Sequence, residues 1–466
     1  MSVASAPGKV LICGGYLVVE SPHVGLSIGV SARFTTKVVK SKKAEGESAD
    51  VTAPHTLTIH VLSPQFHTSF EFVVSHSGHH TTVTQNLGPK SPFLYYGILY
   101  AVSCAAAASP SSFASKMSGS VTLELLASND FYSQRNYLES RGEHVTAATL
   151  RTVPAHQPLV GEVSKTGLGS SAAMTTSFVA CLLKHFDVAD DIERIHRVAQ
   201  VAHSVAQGKI GSGFDVFTAA YGTSIYRRFP AAFAEQMMCT EVPPSSVDDT
   251  LLSACISPER VWVQSTPFHG LPRGLHLILG DIHQGGSATP GMVSKVMAWR
   301  KSVKGQPGNL WDQLAEANVA YVTLLQGLCN QAASTPEAHD EAVAALSTQV
   351  LSHAADVLPT CAAATKLLEA VTAAGTCRRL LREIGNAAQV TIEPQELTPL
   401  LDATAQLPGV FAVGCPGAGG FDAIFALVLG DDGCTRVENF WETYQGMEVC
   451  PLLVREDPAG GLVIEQ

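Results

Sequence analysis

The reactive groups that stand out in this chain are Lys9, Ser170, Ser171 and Asp215. The two serines close the stretch Gly167-Leu168-Gly169-Ser170-Ser171-Ala172, which runs straight into an apolar helical segment. Its glycines let backbone N–H groups approach an anion, and the N-terminus of the following helix adds positive potential. The natural guest is a polyphosphate. The loop is not the G-x-x-x-x-G-K-[ST] type, because its nearest lysine, Lys165, precedes the glycines. A G-x-G-x-x-G fingerprint fits only with the last glycine relaxed to Ala172. Locally, a serine-capped helix with a flexible entry reads the same way.

Three other stretches have similar chemistry. Lys9 sits at Pro7-Gly8, read here as a tight turn, ahead of Gly14-Gly15-Tyr16, where the backbone must pass close to something. Asp215 follows Gly211-Ser212-Gly213 near a helix end, a position that suits a turn or an N-cap as well as catalysis. Pro416-Gly417-Ala418-Gly419-Gly420 is a glycine-rich turn entering a strand, built either for tight packing or for ligand contact.

In this order, these motifs resemble those of the GHMP kinases, small-molecule kinases named for galactose, homoserine, mevalonate and phosphomevalonate. The longer phrases "APGKVLICGGYLVVE", "NDFYSQRN", "SKTGLGSSAAMTT", "QGKIGSGFDV" and "CPGAGGFD" resemble the eukaryotic phosphomevalonate kinase branch, over residues 2 to about 430. The resemblance implies a two-lobed α+β fold with its active site in the cleft between lobes, and Mg2+ and ATP as cofactors. It implies that Gly167 to Ala172, with Lys165 beside them, wrap the ATP phosphates. Lys9 would sit by the transferred phosphoryl group and Asp215 nearest the acceptor, with Gly15, Tyr16, Ser212, Gly213, Gly417 and Gly419 lining the acceptor site. The implied reaction converts (R)-5-phosphomevalonate and ATP to (R)-5-diphosphomevalonate and ADP in isoprenoid and sterol synthesis. Another kinase of the superfamily, such as one acting on mevalonate, or a catalytically silent ligand sensor, is the alternative.

Physical chemistry modifies this picture. A phosphomonoester acceptor, with a second pKa near ~6, is already largely ionised. Asp215 is therefore expected to orient Lys9 and the acceptor more than to abstract a proton. Two anionic substrates need local cations, and Arg135, Lys209, Arg227, Arg228, Lys295 and Arg300 are candidates, Arg135 and Lys295 being favoured. In "GGSATPGMVSK", Ser287, Thr289 and helix-start amides are expected to hold the acceptor phosphate. Mevalonate kinases carry a metal-binding glutamate one helical stretch before the aspartate, whereas "AHSVAQGK" here has none. Magnesium is expected on Ser170 or Ser171, ATP oxygens and water.

The elements that must position these groups can be read coarsely. Segments 27–39, 57–62 and "SVTLELL" are read as strands, 93–107 as a helix interrupted by a Ser/Pro-rich stretch, and "SKKAEGESAD" and "SHSGHHTT" as loops. Helices are expected over 172–186 and 191–206, the latter with Ile195, Ala199 and Ala202 on one face. "LPRGLHLILGD" is a strand, 311–357 and 362–385 are mostly helical, and strands at "GVFAVG", "FDAIFALVLG" and "EVCPLLVR" flank a last helix. The lobes are expected to span 1–235 and 236–466.

Composition sets the remaining bounds. With 466 residues and 46% hydrophobic residues, the chain can fill two cores. Its net charge of -11 favours neither nucleic acid nor an anionic membrane as partner. Eleven cysteines without a CxxC pair read as free thiols, not a zinc site. His76, His79 and His80 read as loop histidines. The N-terminus has no secretory signal pattern and the C-terminal "LVIEQ" is no SKL-type address, so a cytoplasmic monomer or homodimer is expected.

Overall fold

The computed structural model describes residues 2–42, 55–162, 164–238, 246–268, 270–282, 289–359 and 361–465. Within them the chain builds two sheets, one per lobe, each backed by helices.

The larger sheet has ten strands, with the antiparallel pair Val3–Cys13 and Val24–Lys42 toward one end of its main run. Val24–Lys42 starts with residues buried on both faces and ends in strict alternation, so only its second half has a solvent face. Helices Pro92–Ala108, Ser170–His185 and Ile192–Gln207 pack against one another and, through Ser170–His185, against these two strands. Asp191 caps the third of these by accepting the Glu193 N–H, and Gly208 ends it in the left-handed region.

The smaller sheet is antiparallel, in the order Val410–Gly414, Ala423–Leu429, Leu275–Ile282 and Val449–Leu452. Ile278, Leu400, Ile424, Val437 and Trp441 fill its core.

The structure revises several expectations. Pro7-Gly8 is not a tight turn: both residues lie inside strand Val3–Cys13, at a register shift against Val24–Lys42. A bulge tolerates proline in a strand, and Gly8 is required because a Cβ there would lie 2.9 Å from both Leu168 O and Phe131. The Ser/Pro-rich stretch after the first helix forms a helix of its own, Pro110–Lys116, with Pro110 in its first turn, where the missing N–H costs nothing. Segment 311–357 divides into Leu310–Ser334 and Pro336–Leu346, because Pro336 can start a helix but not continue one.

A division at residue 235 does not follow the sheets. Ser246–Asp248, Thr266–Pro267 and Val463–Glu465 all join the larger one.

Candidate active site

The loop enters its helix through two glycines in the left-handed region, Gly167 and Gly169, each at φ 76°. Gly169 is the N-cap residue, and its carbonyl accepts the N–H groups of Ala172 and Ala173. The Ser170 and Ser171 amides stand at the open end of the helix, where no intrahelical acceptor exists. The serine side chains diverge. Ser170 is buried and lies beside the Tyr132 phenol, whereas Ser171 is half-buried and meets His203 Nε2 at 3.2 Å.

Lys9 is tied to this loop at both ends. Its backbone N–H donates to Leu168 O at 2.9 Å and its Nζ to Gly167 O at 2.8 Å. Its stem fills the space that a side chain on Gly169 would take, since a Cβ there would lie 2.9 Å from Lys9 Cε. The ammonium also lies 5.4 Å from the centre of the Phe214 ring. Burial lowers the lysine's pKa, and the charges of Asp215 and Asp422 oppose that effect.

Asp215 lies in the first turn of helix Phe214–Tyr221, where Oδ1 accepts the Val216 N–H at 3.0 Å. Gly213 caps that helix at φ 85°, and a Cβ there would strike Phe229 at 2.6 Å. Tyr226 fixes the preceding residue by donating to Ser212 O.

The second lobe closes the site from the opposite side. Gly417 N–H donates to Leu11 O at 2.8 Å, Tyr16 donates to Ala418 O, and a Cβ on Gly15 would lie 2.4 Å from Gly417 O. Burial raises the Tyr16 phenol's pKa, so at neutral pH it stays a donor. Between the lobes lies a cavity of about 240 Å³ lined by Lys9, Gly167, Ser212 and Phe214 from one side and Gly417 and Asp422 from the other.

Other candidates fall elsewhere. Lys165 is exposed and bridges Tyr132 through its backbone. Arg135 pairs with Glu448 at 2.6 Å and Glu139 at 3.3 Å, and its charge acts on Asp281. Lys295 is exposed on helix Thr289–Val303, and Lys209 is exposed beyond the end of Ile192–Gln207. Arg228 braces the Asp215 approach by donating to Gly211 O and Val19 O. Arg227 donates to Thr266, and Arg300 lies over Trp311. Ser287 lies outside the described residues, and Thr289 opens its helix. His76 pairs with Asp249 at 2.8 Å, and among the described residues no cluster of three or more His, Cys, Asp or Glu could hold a metal ion.

Two residues of the site escaped the sequence reading. Asp422 stands in the quoted "CPGAGGFD", where only the glycines were given roles, and a carboxylate at the mouth of a strand was the available signal. His203 stands in "AHSVAQGK", a stretch whose lack of a glutamate is its more visible feature.

A loop-led helix start, a lysine on the facing strand and a glycine turn from a second lobe define a GHMP-type small-molecule kinase. Residues 140–223 match the family model for the GHMP kinases N terminal domain. The chain is 37% identical to the peroxisomal phosphomevalonate kinase of Arabidopsis thaliana, over 98% of this chain and 95% of that protein. It is 32% identical to the phosphomevalonate kinase of Aspergillus fumigatus, over 99% and 93%. Among solved structures, Streptococcus pneumoniae phosphomevalonate kinase in complex with phosphomevalonate and AMPPNP shares the fold, with TM-score 0.60 and 15% identity over 98% of this chain and 99% of that one. The chain belongs to the phosphomevalonate kinase family.

Proposed function

We propose that this chain transfers the γ-phosphoryl group of ATP to the phosphate of (R)-5-phosphomevalonate, giving (R)-5-diphosphomevalonate and ADP. The observation that carries the reading is the junction of Lys9 with the Gly167–Ala172 loop, between Asp215 of one lobe and Asp422 of the other.

The nucleotide is proposed to lie along the loop side of that junction. A cavity of about 660 Å³, lined by Pro92, Tyr95, Tyr96, Val205 and Gly208, would take the base. Gln207 lines the same cavity and contacts His203, which in turn contacts Ser171, so the cavity and the loop are neighbours. The triphosphate would then meet the Ser170 and Ser171 amides. The acceptor is proposed to fill the cleft cavity, beside Lys9, Ser212 and Gly417.

Phosphoryl transfer is catalysed mostly by positioning and by neutralising charge. Lys9 is suited to that task, since the one described hydrogen-bond partner of its ammonium is a neutral carbonyl and its side chain borders the cavity. Asp215 holds the lysine and the acceptor in register. Asp215→Asn is expected to lower kcat roughly 100-fold while leaving a pH profile with no base titrating near neutrality.

Magnesium is proposed to bind at the same corner. Ser171 Oγ and an Asp215 oxygen lie 3.2 Å and 4.0 Å from His203 Nε2, so a hydroxyl and a carboxylate, the oxygen donors a hard cation prefers, neighbour the same side chain. When bound with ATP, magnesium would screen the phosphate oxygens. Ser171 is the favoured protein ligand and Ser170 the lesser one, because Ser170 is buried and Ser171 is only half-buried.

The free cysteines and acidic balance suit a reducing compartment, proposed to be the cytoplasm, with the chain acting as a monomer or homodimer. No helix of the described residues is long and apolar enough to cross a membrane. ADP release in a coupled assay over phosphomevalonate, mevalonate, galactose and homoserine tests the reading. Turnover with the first alone is expected, and turnover with mevalonate but not its phosphate rejects it.

A further inference from the structure

Helix Ile192–Gln207 carries two buried histidines in very different settings. His196 is surrounded by the rings of Phe217, Tyr221 and Trp262, and neither of its ring nitrogens has a hydrogen-bond partner among the described residues. Its setting is that of a packed core side chain. Two turns on, His203 presents Nε2 to the Ser171 hydroxyl at 3.2 Å, the Gln207 amide nitrogen at 3.1 Å and the Asp215 carboxylate at 4.0 Å. Phe93 packs on its ring, with centroids 5.3 Å apart, and limits its rotation.

The hydrogen-bond roles follow from the partners. An amide NH₂ can only donate, so Nε2 accepts from Gln207 and carries no hydrogen. At this contact the Ser171 O–H can then only be the donor, sharing the single Nε2 lone pair with the Gln207 amide, and the serine's own lone pairs face away from the ring. At 4.0 Å the Asp215 carboxylate is beyond hydrogen-bond reach of Nε2 and keeps its oxygens for other partners. Without an acceptor at position 203, the Ser171 hydroxyl would turn to a nearby backbone carbonyl, as serines in helices do.

The geometry points to His203 as the positioning residue that aims the Ser171 oxygen at magnesium and the nucleotide phosphates. This rests on reading Gly167–Ala172 as the nucleotide-phosphate loop. It assigns His203 a role through Ser171, with no contact to the reacting atoms. Partners that orient a metal ligand commonly change metal affinity by roughly 10- to 100-fold when removed.

The test is AMPPNP affinity by calorimetry, with Mg2+ and with EDTA, for the unmodified protein, Ser171→Ala, His203→Leu, His203→Gln and the Ser171→Ala/His203→Leu double variant. Melting temperatures are recorded alongside. His203→Leu is expected to lose roughly tenfold of the magnesium-dependent tightening while keeping its metal-free affinity within about twofold. The double variant should bind no more weakly than Ser171→Ala alone. His203→Gln, whose Oε1 reaches the place of Nε2, should recover most of the loss, and it keeps the test open if the leucine variant fails to fold. Equal losses with and without magnesium, multiplying losses in the double variant, or a glutamine variant no better than leucine would each overturn the inference. Failure of the unmodified protein to bind AMPPNP would instead remove the loop reading beneath it.

Discussion

Two glycine turns meet at the active site, and they use glycine for opposite purposes. In the first, Gly167 has φ 76° and a Cβ added there would meet nothing within 4 Å. That freedom lets the backbone bend into open space, where a ligand can approach. In the second, Gly419 also has positive φ, but a Cβ there would lie 2.0 Å from Ile392 O, and the neighbouring Gly420 N–H donates to that same oxygen. Gly417 O in turn abuts Gly15 of the first lobe. The first turn is a cradle and the second is a clamp between packed chain segments. Their sequences are alike, and what separates them is the neighbour each glycine faces.

The contrast breaks most readily at the clamp. Gly419→Ala forces a methyl group into backbone and is expected to destabilise the protein by about 3 kcal/mol, read as a lowered denaturant midpoint. A neutral result would mean that the turn is free to move. Gly169→Ala should act on chemistry more than on stability, because the obstructing atom belongs to Lys9. A roughly 30-fold loss of kcat with a small change in melting temperature is expected, since displacing a catalytic group by an ångström costs on the order of 100-fold.

Asp281 probes dryness beside the clamp, since it pairs with Ala423 in the strand that the second turn feeds. Burial pushes its carboxyl up to about 6, with Arg135 opposing and Asp422 adding to the rise. The folded protein therefore binds more protons than the unfolded chain between about pH 4 and that value, so stability falls as pH rises through the window. Asp281→Asn should flatten the slope and leave the protein about 1–2 kcal/mol more stable at pH 7 relative to pH 4. An unchanged slope would show a wet carboxylate. The smallest effect belongs to Gly167→Ala, with about 1 kcal/mol from backbone strain alone and a modest rise in the KM for ATP.

The cradle was legible in the sequence because its chemistry is local: glycines, serines and a helix start are adjacent along the chain. Lys9 was legible as a residue but not in its setting. Pro7-Gly8 reads as a turn until Leu168 and Phe131, far along the chain, are seen to occupy the space a side chain would need. Arg135 is legible only by its charge, and Glu448, its partner across the lobes, shares no local pattern with it. His203 follows the same helical spacing as His196, and periodicity cannot distinguish a packed histidine from a connected one. The larger sheet recruits Val463–Glu465 from the end of the chain, a pairing that no neighbouring residue announces.

The central claim is that the acceptor atom is a phosphate oxygen. Phosphorus NMR of the purified chain with ATP, Mg2+ and phosphomevalonate tests it directly. The account predicts that the monoester resonance disappears as ADP forms and that a new pair of coupled diphosphate resonances replaces it. A monoester signal that persists while ATP is consumed, or a new monoester formed from mevalonate, would contradict it.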